Sequence, residues 1–256
     1  MPLAQGFYYT LYQGGQNDRP PVILIHGAGS NHLCWPAELR RLSGFNVYAI
    51  DLPGHGRSSG LGQHSIEAYA GQLVGFLAEL NIHQAYLVGH SMGGAIALSI
   101  SLQYPALPVA IGMIASGAYL NVPAELLACL KSPATYQDGL TWIRQHVFSP
   151  HTPANLIEAS MKQLDEIRQV TLYRDWLACS RFDLGGKIER IAAPGWVALG
   201  SDDCLISQSS ANYLANSLQH GRLQLVPCAG HMLIIEKPKE LAAGFHKFLD
   251  ELERWR

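Results

Sequence analysis

Short runs of apolar residues recur along the chain, and most of them show no polar alternation. The runs span residues 22–25, 47–50, 86–88, 109–114, 196–199 and 223–226. Uninterrupted apolar runs of this length are typical of strands that are buried on both faces of a parallel sheet. Residues 7–13 alternate more regularly, which predicts an antiparallel strand at the edge of that sheet.

Helical periodicity falls between these apolar runs. It predicts helices over residues 65–80, 92–104, 207–218 and 238–255. In the first of these, Ile66, Tyr69 and Leu73 begin a stripe of apolar residues at helical spacing. Strands that alternate with helices predict an α/β fold, with a doubly wound and mostly parallel sheet covered by helices on both faces.

One long segment interrupts this alternation. Residues 117–185 contain no clear buried strand, and prolines divide them into short helical pieces. We interpret the segment as a helical lid, or cap, inserted into an α/β core formed by residues 1–116 and 186–256. An ordinary surface elaboration is the alternative, although connections of this length usually have a function.

Composition and charge narrow the range of functions. The chain is 48% hydrophobic and 15% charged, and its 18 Lys and Arg residues are scattered around a formal net charge of −2, which argues against a nucleic-acid partner. No apolar run approaches the ~18 residues of a membrane span, and the N-terminus lacks the pattern of a signal peptide. Five cysteines without a CxxC pair indicate reduced thiols and a cytoplasmic protein. Neither a metal-ligand spacing nor a phosphate-binding loop occurs, so we expect no metal and no cofactor.

The sequence VGHSMGG, residues 88–94, places a serine between two glycines, after an apolar run and before a predicted helix. Gly89 and Gly93 remove side chains that would collide on a tight strand-to-helix turn, so Ser91 projects above the sheet. The next helix begins at once, and its N-terminus lies beside the serine. This context predicts that Ser91 is a nucleophile; a purely structural tight turn is the alternative.

A serine nucleophile needs a base, and the base needs an orienting carboxylate. Of the eleven histidines, His231 is predicted as the base because it lies between the last apolar run and the final helix, at the same sheet edge as Ser91. His90 adjoins the serine, but we expect it to point away from the site. In the segment LGSDD, Asp202 and Asp203 follow another apolar run, and either of them could hold the imidazole; a solvated acidic turn is the alternative.

A tetrahedral oxyanion requires two N–H donors. The backbone amide of Met92, directly after the serine, is predicted as one of them. The second should come from the segment HGAGS that follows the first buried run, where Ala28 is the candidate. The same segment does not match a dinucleotide-binding loop, because His32 stands where the third glycine belongs.

The segments HGAGS, DLPGHGRS, GHSMGG, LGSDD and AGHM occur in one order that extends over most of the chain. In this order the chain resembles the α/β-hydrolase superfamily, in the capped group of serine hydrolases that includes esterases, lactonases, non-haem haloperoxidases and carbon–carbon bond hydrolases. The resemblance implies a Ser91–Asp203–His231 triad, because the family's acid is usually the third residue after the glycine that ends the strand. It also implies a structural role for DLPGHGRS, with no catalytic role for His55 or Arg57. A serine nucleophile excludes the related dehalogenases and epoxide hydrolases, which use aspartate.

The leading hypothesis is a cofactor-independent hydrolase that cleaves carboxylic esters of small to medium apolar substrates through an acyl-enzyme. A lactonase and a carbon–carbon bond hydrolase of ring-cleavage products are alternatives, so the expected partner is a small-molecule ester or lactone. The carbon–carbon hydrolase often needs a cation for the substrate's carboxylate, and the lid offers Arg144, Arg168, Arg174 and Arg181. A hydrolase-like ligand sensor with little turnover is the alternative from another class. Trp142, Trp176 and Met232 are predicted to line the substrate pocket.

Overall fold

The computed structural model describes residues 3–15 and 19–255. Within these residues, eight strands form one sheet in the spatial order β1-β2-β4-β3-β5-β6-β7-β8. The strands are β1 Leu3–Ala4, β2 Phe7–Gln13, β3 Val22–Ile25, β4 Asn46–Ile50, β5 Ala85–His90, β6 Pro108–Ile114, β7 Gly195–Gly200 and β8 Arg222–Val226. All pairs from β4 through β8 are parallel, whereas β2 runs antiparallel to β4. The predicted α/β sheet is therefore confirmed, although the short strand β1, rather than β2, forms that edge of the sheet.

Ten α-helices lie among the described residues. They are α1 Ala37–Arg40, α2 Ile66–Glu79, α3 Met92–Gln103, α4 Ala124–Lys131, α5 Tyr136–Val147, α6 Ala154–Asp165, α7 Gln169–Ser180, α8 Gln208–Ser217, α9 Leu233–Glu236 and α10 Pro238–Trp255. Serine side chains cap two of them: Ser65 accepts from the third residue of α2, and Ser207 accepts from the third residue of α8. No helix within residues 3–15 and 19–255 has the length and apolar character that crossing a membrane requires.

The sheet is covered on both faces because its strands are apolar on both faces. Leu73 of α2, Ile96 of α3 and Leu214 of α8 belong to one buried cluster against the sheet. Leu39 of α1 and Phe245 of α10 belong to a second cluster on the other face. Two hydrophobic layers therefore enclose β3–β7, as expected for a doubly wound sheet.

Four helices, α4–α7, are inserted between β6 and β7. The two ends of this insertion lie side by side, because Tyr119 forms an antiparallel bridge with Asp183 and the N–H of Leu184 donates to the carbonyl of Ala118 at 2.8 Å. The inserted helices have an apolar cluster of their own, to which α6 contributes one buried residue, Leu164. The insertion thus begins after the carboxyl end of β6 and returns to the core beside the point at which it leaves.

Candidate active site

The turn between β5 and α3 holds Ser91 in a backbone conformation that few side chains adopt. Its φ is 51° and its ψ is −115°, and its N–H donates to the carbonyl of Ile114 at 2.8 Å. The turn is too tight for side chains on either flank. A Cβ on Gly89 would lie 2.1 Å from the Gly93 backbone, and a Cβ on Gly93 would lie 2.0 Å from the Ile25 carbonyl oxygen. The two glycines therefore permit the turn that presents the Ser91 hydroxyl.

Three side chains from three different loops meet at this turn. His231 Nε2 lies 2.9 Å from Ser91 Oγ, and His231 Nδ1 lies 3.0 Å from Asp203 Oδ2. The Asp203 carboxylate accepts from Nδ1–H, which fixes the tautomer in which Nε2 carries a lone pair directed at the serine hydroxyl. The Asp203 side chain is fully buried, and His231 is nearly so. The arrangement can remove a proton from Ser91 and hold the resulting imidazolium against a carboxylate.

Asp203 is fixed by its own loop as well as by the histidine. The N–H groups of Leu205 and Ile206 donate to Asp203 Oδ1 at 2.8 and 3.0 Å. Burial by itself would raise the pKa of Asp203, but the facing His231 and these hydrogen bonds outweigh burial and lower it. The carboxylate is therefore charged at neutral pH, as a partner for imidazolium must be.

The neighbouring Asp202 has a different environment. Its carboxylate accepts from Ser149 Oγ at 2.6 Å and from Ser201 Oγ at 2.9 Å. These bonds tie the loop after β7 to the inserted segment and leave Asp202 without a hydrogen bond to His231 in the described structure. Of the two aspartates that follow β7, Asp203 is the one that faces the imidazole.

Two backbone amides lie beside the serine without an acceptor of their own. Within the described residues, neither the Ala28 N–H nor the Met92 N–H makes a hydrogen bond to a protein acceptor. Met92 is the first residue of α3, and the amides of a first helical turn have no intrahelical acceptor. Ala28 lines the same cavity as Ser91. Both amides are available to a negatively charged oxygen formed at the serine.

A buried carboxylate that the sequence analysis missed holds the Ala28 loop in place. Asp175 of α7 accepts from the N–H of Gly29 at 2.8 Å, from His55 Nε2 at 2.7 Å and from the Tyr69 hydroxyl at 2.5 Å. Burial alone would lower the pKa of His55, but the charge of Asp175 reverses this and raises it. The available sequence signal was an aspartate on the apolar side of α7, one residue before a buried tryptophan.

Two further histidines are buried behind the site. His26 accepts from the N–H of Leu52 at 2.9 Å, and burial followed by the charge of His55 lowers its pKa to about 4. His90 Nε2 donates to the backbone carbonyl of His231 at 2.9 Å, and burial followed by His231 lowers the pKa of His90 to about 3. The expectation that His90 points away from the site is wrong, because it borders the cavity and supports the backbone of His231.

A cavity of about 190 Å³ opens beside Ser91 and His231, beneath the inserted helices. Its apolar lining comes mainly from α5, α6, α7 and the loop after β8. The larger apolar side chains are Leu33, Ile143, Val147, Phe148, Leu156, Met161, Leu164, Trp176, Met232 and Ile235. The polar side chains besides His90, His231 and Ser91 are Ser30, Ser160 and Gln163. We call this space the apolar cavity.

Two of the three predicted pocket residues, Trp176 and Met232, line the apolar cavity, whereas Trp142 does not. Trp142 stacks on His146 with ring centroids 4.0 Å apart and borders a second cavity. Consecutive residues on a helix point about 100° apart. Ile143 of α5 therefore faces the apolar cavity, while Trp142 faces the second cavity. The structure therefore places Trp142 in the wall of the second cavity, and its contact with a substrate stays a prediction.

The four arginines considered for a substrate carboxylate all have other partners. Arg144 pairs with the exposed Glu158. Arg168, Arg174 and Arg181 donate to backbone carbonyls in residues 54–64. In the described part of the chain, no Lys, Arg, Asp or Glu side chain lines the apolar cavity.

Comparisons with known proteins agree with this architecture. The model of the "Alpha/beta hydrolase family" matches residues 22–244. A protein from Caulobacter sp. (strain K31), provisionally named carbamate hydrolase RutD, is 25% identical over 261 residues, covering 96% of each chain.

Solved structures show the same fold. The enol-lactonase from Burkholderia xenovorans LB400 matches with a TM-score of 0.87 at 18% identity, covering 95% of this chain and 96% of that chain. A thermophilic esterase from Thermogutta terrifontis matches with a TM-score of 0.84 at 19% identity, covering 96% and 93%. Because the family model covers most of the sequence, this chain belongs to the alpha/beta hydrolase family.

Proposed function

We propose that this protein is a serine hydrolase that cleaves carboxylic esters of small to medium apolar substrates through an acyl-enzyme. One observation carries the proposal: the hydrogen-bonded series Ser91–His231–Asp203 borders a small cavity whose lining is mainly apolar. A nucleophile with its base and its orienting acid supplies the chemistry, and the cavity supplies a dry place for a hydrocarbon chain.

In the acylation step, Ser91 Oγ attacks the ester carbonyl carbon while His231 Nε2 takes the hydroxyl proton. The new negative charge on the carbonyl oxygen is stabilised by the amides of Ala28 and Met92. Imidazolium is stabilised by Asp203, which is already ionised. His231 then gives its proton to the leaving alcohol as the carbon–oxygen bond breaks.

In the deacylation step, water replaces the alcohol. His231 Nε2 takes a proton from the water as it attacks the acyl carbon, and the same two amides hold the second oxyanion. Collapse of this intermediate returns the proton to Ser91 Oγ and releases the acid. No step of this proposed cycle requires a metal or an organic cofactor.

We also propose that residues 117–185 act as a lid over a core of residues 1–116 and 186–256. The inserted helices α5, α6 and α7 provide much of the wall of the apolar cavity, so their side chains set the shape and polarity that a substrate meets. Excluding water there strengthens the electrostatic interactions that the reaction uses.

The absence of charge in the described lining of the apolar cavity supports an ester or a lactone over the substrate of a carbon–carbon hydrolase. A carbon–carbon hydrolase that binds a substrate carboxylate would leave that anion buried without a cationic partner, which is costly. A neutral ester or lactone incurs no such penalty. We therefore favour a neutral ester, and a lactone serves as a direct comparison in the test.

The test is the rate of hydrolysis of p-nitrophenyl esters from acetate to palmitate at one pH, with a lactone measured alongside. Each added methylene should stabilise the bound transition state by up to ~0.8 kcal/mol until the cavity is full, and kcat/KM should rise accordingly. The maximum of kcat/KM should therefore fall between acetate and octanoate. Ser91→Ala is the control and should show no turnover. A maximum at palmitate would contradict the small cavity, and a far better lactone would favour the lactonase. One stalled acylation without turnover would favour the sensor.

A further inference from the structure

A second cavity, which we call the outer cavity, lies on the other side of the serine. It has a volume of about 450 Å³ and lies between the loops that follow β6 and β7. Its lining includes Tyr119, Asn121, Trp142, Leu205, Ser207 and Ser210. None of the proposed catalytic side chains lines it directly.

A narrow space of about 20 Å³ lies between the two cavities. It shares Ser91, Trp176 and His231 with the apolar cavity, and it shares Val122 and Leu205 with the outer cavity. The serine hydroxyl and the imidazole therefore stand at a junction, with space for one part of a substrate on each side.

The outer cavity offers hydrogen-bonding groups that the protein itself leaves unused. The Ser210 side-chain oxygen is buried without a partner, and the residue is 5% exposed. Within the described residues, the Asn121 amide and the Tyr119 hydroxyl also make no hydrogen bond to the protein. All three groups can donate and accept. A buried hydroxyl without a partner carries a desolvation cost that a bound polar ligand would relieve.

Charge and access further define what fits the outer cavity. No Lys, Arg, Asp or Glu lines it in the described structure, so the ligand is neutral. Asn121 and Ser207 are exposed, which places the mouth of the cavity at the protein surface. A neutral group that both donates and accepts hydrogen bonds, such as an alcohol with additional hydroxyls, matches this lining.

Resting on the proposed function, we infer that the outer cavity binds the leaving group and that the preferred substrates are esters of a hydroxylated alcohol. The acyl chain occupies the apolar cavity, where each methylene is removed from water. The alcohol occupies the outer cavity, with its free hydroxyls near Asn121, Tyr119 and Ser210. The reaction is unchanged: the Ser91 Oγ–carbon bond forms, the ester carbon–oxygen bond breaks, and the alcohol oxygen takes the proton from His231.

The test compares two esters with the same acyl chain, glyceryl monobutyrate and propyl butyrate. Their leaving groups have the same carbon skeleton and differ by two hydroxyls. We expect kcat/KM to be about tenfold higher for the glyceryl ester, an effect of one or two net hydrogen bonds. Asn121→Leu should reduce this ratio at least threefold, whereas Asn216→Leu, an exposed asparagine on α8 outside both cavities, should leave it unchanged.

A third ester identifies the side on which a hydroxylated group binds. Methyl 4-hydroxybutyrate carries its hydroxyl on the acid, and it should be no better than methyl butyrate. A preference for the hydroxylated acid would mean that the outer cavity binds the acyl chain, which overturns the inference. A ratio near one for the glyceryl and propyl esters, or a ratio that Asn121→Leu does not change, would also overturn it. In each of these cases hydrolysis of propyl butyrate would still support the proposed function, whereas loss of all ester hydrolysis would refute both.

Discussion

At the scale of single residues, the orientation of His231 depends on which of two adjacent aspartates accepts its Nδ1 hydrogen bond. Asp203 accepts from His231 and from two amides of its own loop, whereas Asp202 accepts from two serines and ties the loop to the inserted segment. The two side chains therefore have different partners although they are adjacent in sequence. One therefore sets the tautomer of His231, and the other stabilises the loop.

Replacing each aspartate by asparagine separates these two roles. Asp203→Asn should lower kcat roughly 10³- to 10⁴-fold, because an amide favours the wrong tautomer and does not stabilise imidazolium. Asp202→Asn should change kcat by less than about threefold, because the amide still accepts a hydrogen bond from Ser149. The measurement is steady-state hydrolysis of p-nitrophenyl butyrate by both variants. A larger loss in Asp202→Asn than in Asp203→Asn would show that the acid is assigned incorrectly.

At the scale of secondary-structure elements, Asp175 links α7 to α2 and to the loops that follow β3 and β4. Its hydrogen bonds to Gly29, His55 and Tyr69 join segments that lie 106 to 146 residues away in sequence. Gly29 follows Ala28, the proposed oxyanion donor, so the position of that donor depends on an inserted helix.

Asp175→Asn tests this link. We expect the free energy of unfolding to fall by roughly 3 kcal/mol, because the charge that faces His55 is removed from a buried pair. We also expect kcat to fall more than KM changes, because a displaced oxyanion donor acts in the transition state rather than on bound substrate. The matched control is Asp165→Asn, an exposed aspartate at the end of α6. A destabilised variant with unchanged kcat would limit Asp175 to a role in folding.

Some of the strands and helices could be predicted from the sequence, and others could not. The buried strands and the helices α2, α3, α8 and α10 were predicted within one or two residues, because their apolar pattern is a local signal. Helices α1 and α9 have four residues each, which is too short for a periodic pattern. The approach of Asp175 to Gly29 depends on how the insertion packs, so no local pattern indicates it.

At the scale of the whole molecule, the sheet brings the loops after β3, β5, β7 and β8 to one edge, which is why Ser91, Asp203 and His231 could be predicted as neighbours. The orientation of the inserted helices was not predictable in this way. Ile143 and Trp142 are adjacent in sequence and face different cavities, and only the packing of α5 decides between them.

Buried neutral histidines should make the stability of the molecule depend on pH. The pKa of His90 is about 3 and that of His26 about 4 in the folded protein, and an unfolded histidine has a pKa near 6.5. Below about pH 6.5 the unfolded chain takes up protons that the folded chain does not, so stability falls as the pH falls toward the folded values.

His90→Gln tests this dependence, since the amide of glutamine can still donate to the carbonyl of His231. The slope of the unfolding free energy against pH, measured by urea denaturation between pH 6 and pH 4, should decrease by up to ~1.4 kcal/mol per pH unit. His64→Gln is the control, because that side chain is exposed to water in the folded protein. An unchanged slope in His90→Gln would mean that His90 takes up its proton in the folded state.

The central claim is that Ser91 is the nucleophile of an acyl-enzyme. The most direct measurement is the mass of the protein after reaction with an alkyl fluorophosphonate, followed by peptide mapping. Attack by Ser91 Oγ forms an oxygen–phosphorus bond and releases fluoride, so we expect one adduct per chain, located on Ser91, and its formation should be strongly slowed in His231→Ala. An adduct on another residue, or continued ester hydrolysis by a protein whose Ser91 is fully modified, would contradict the account.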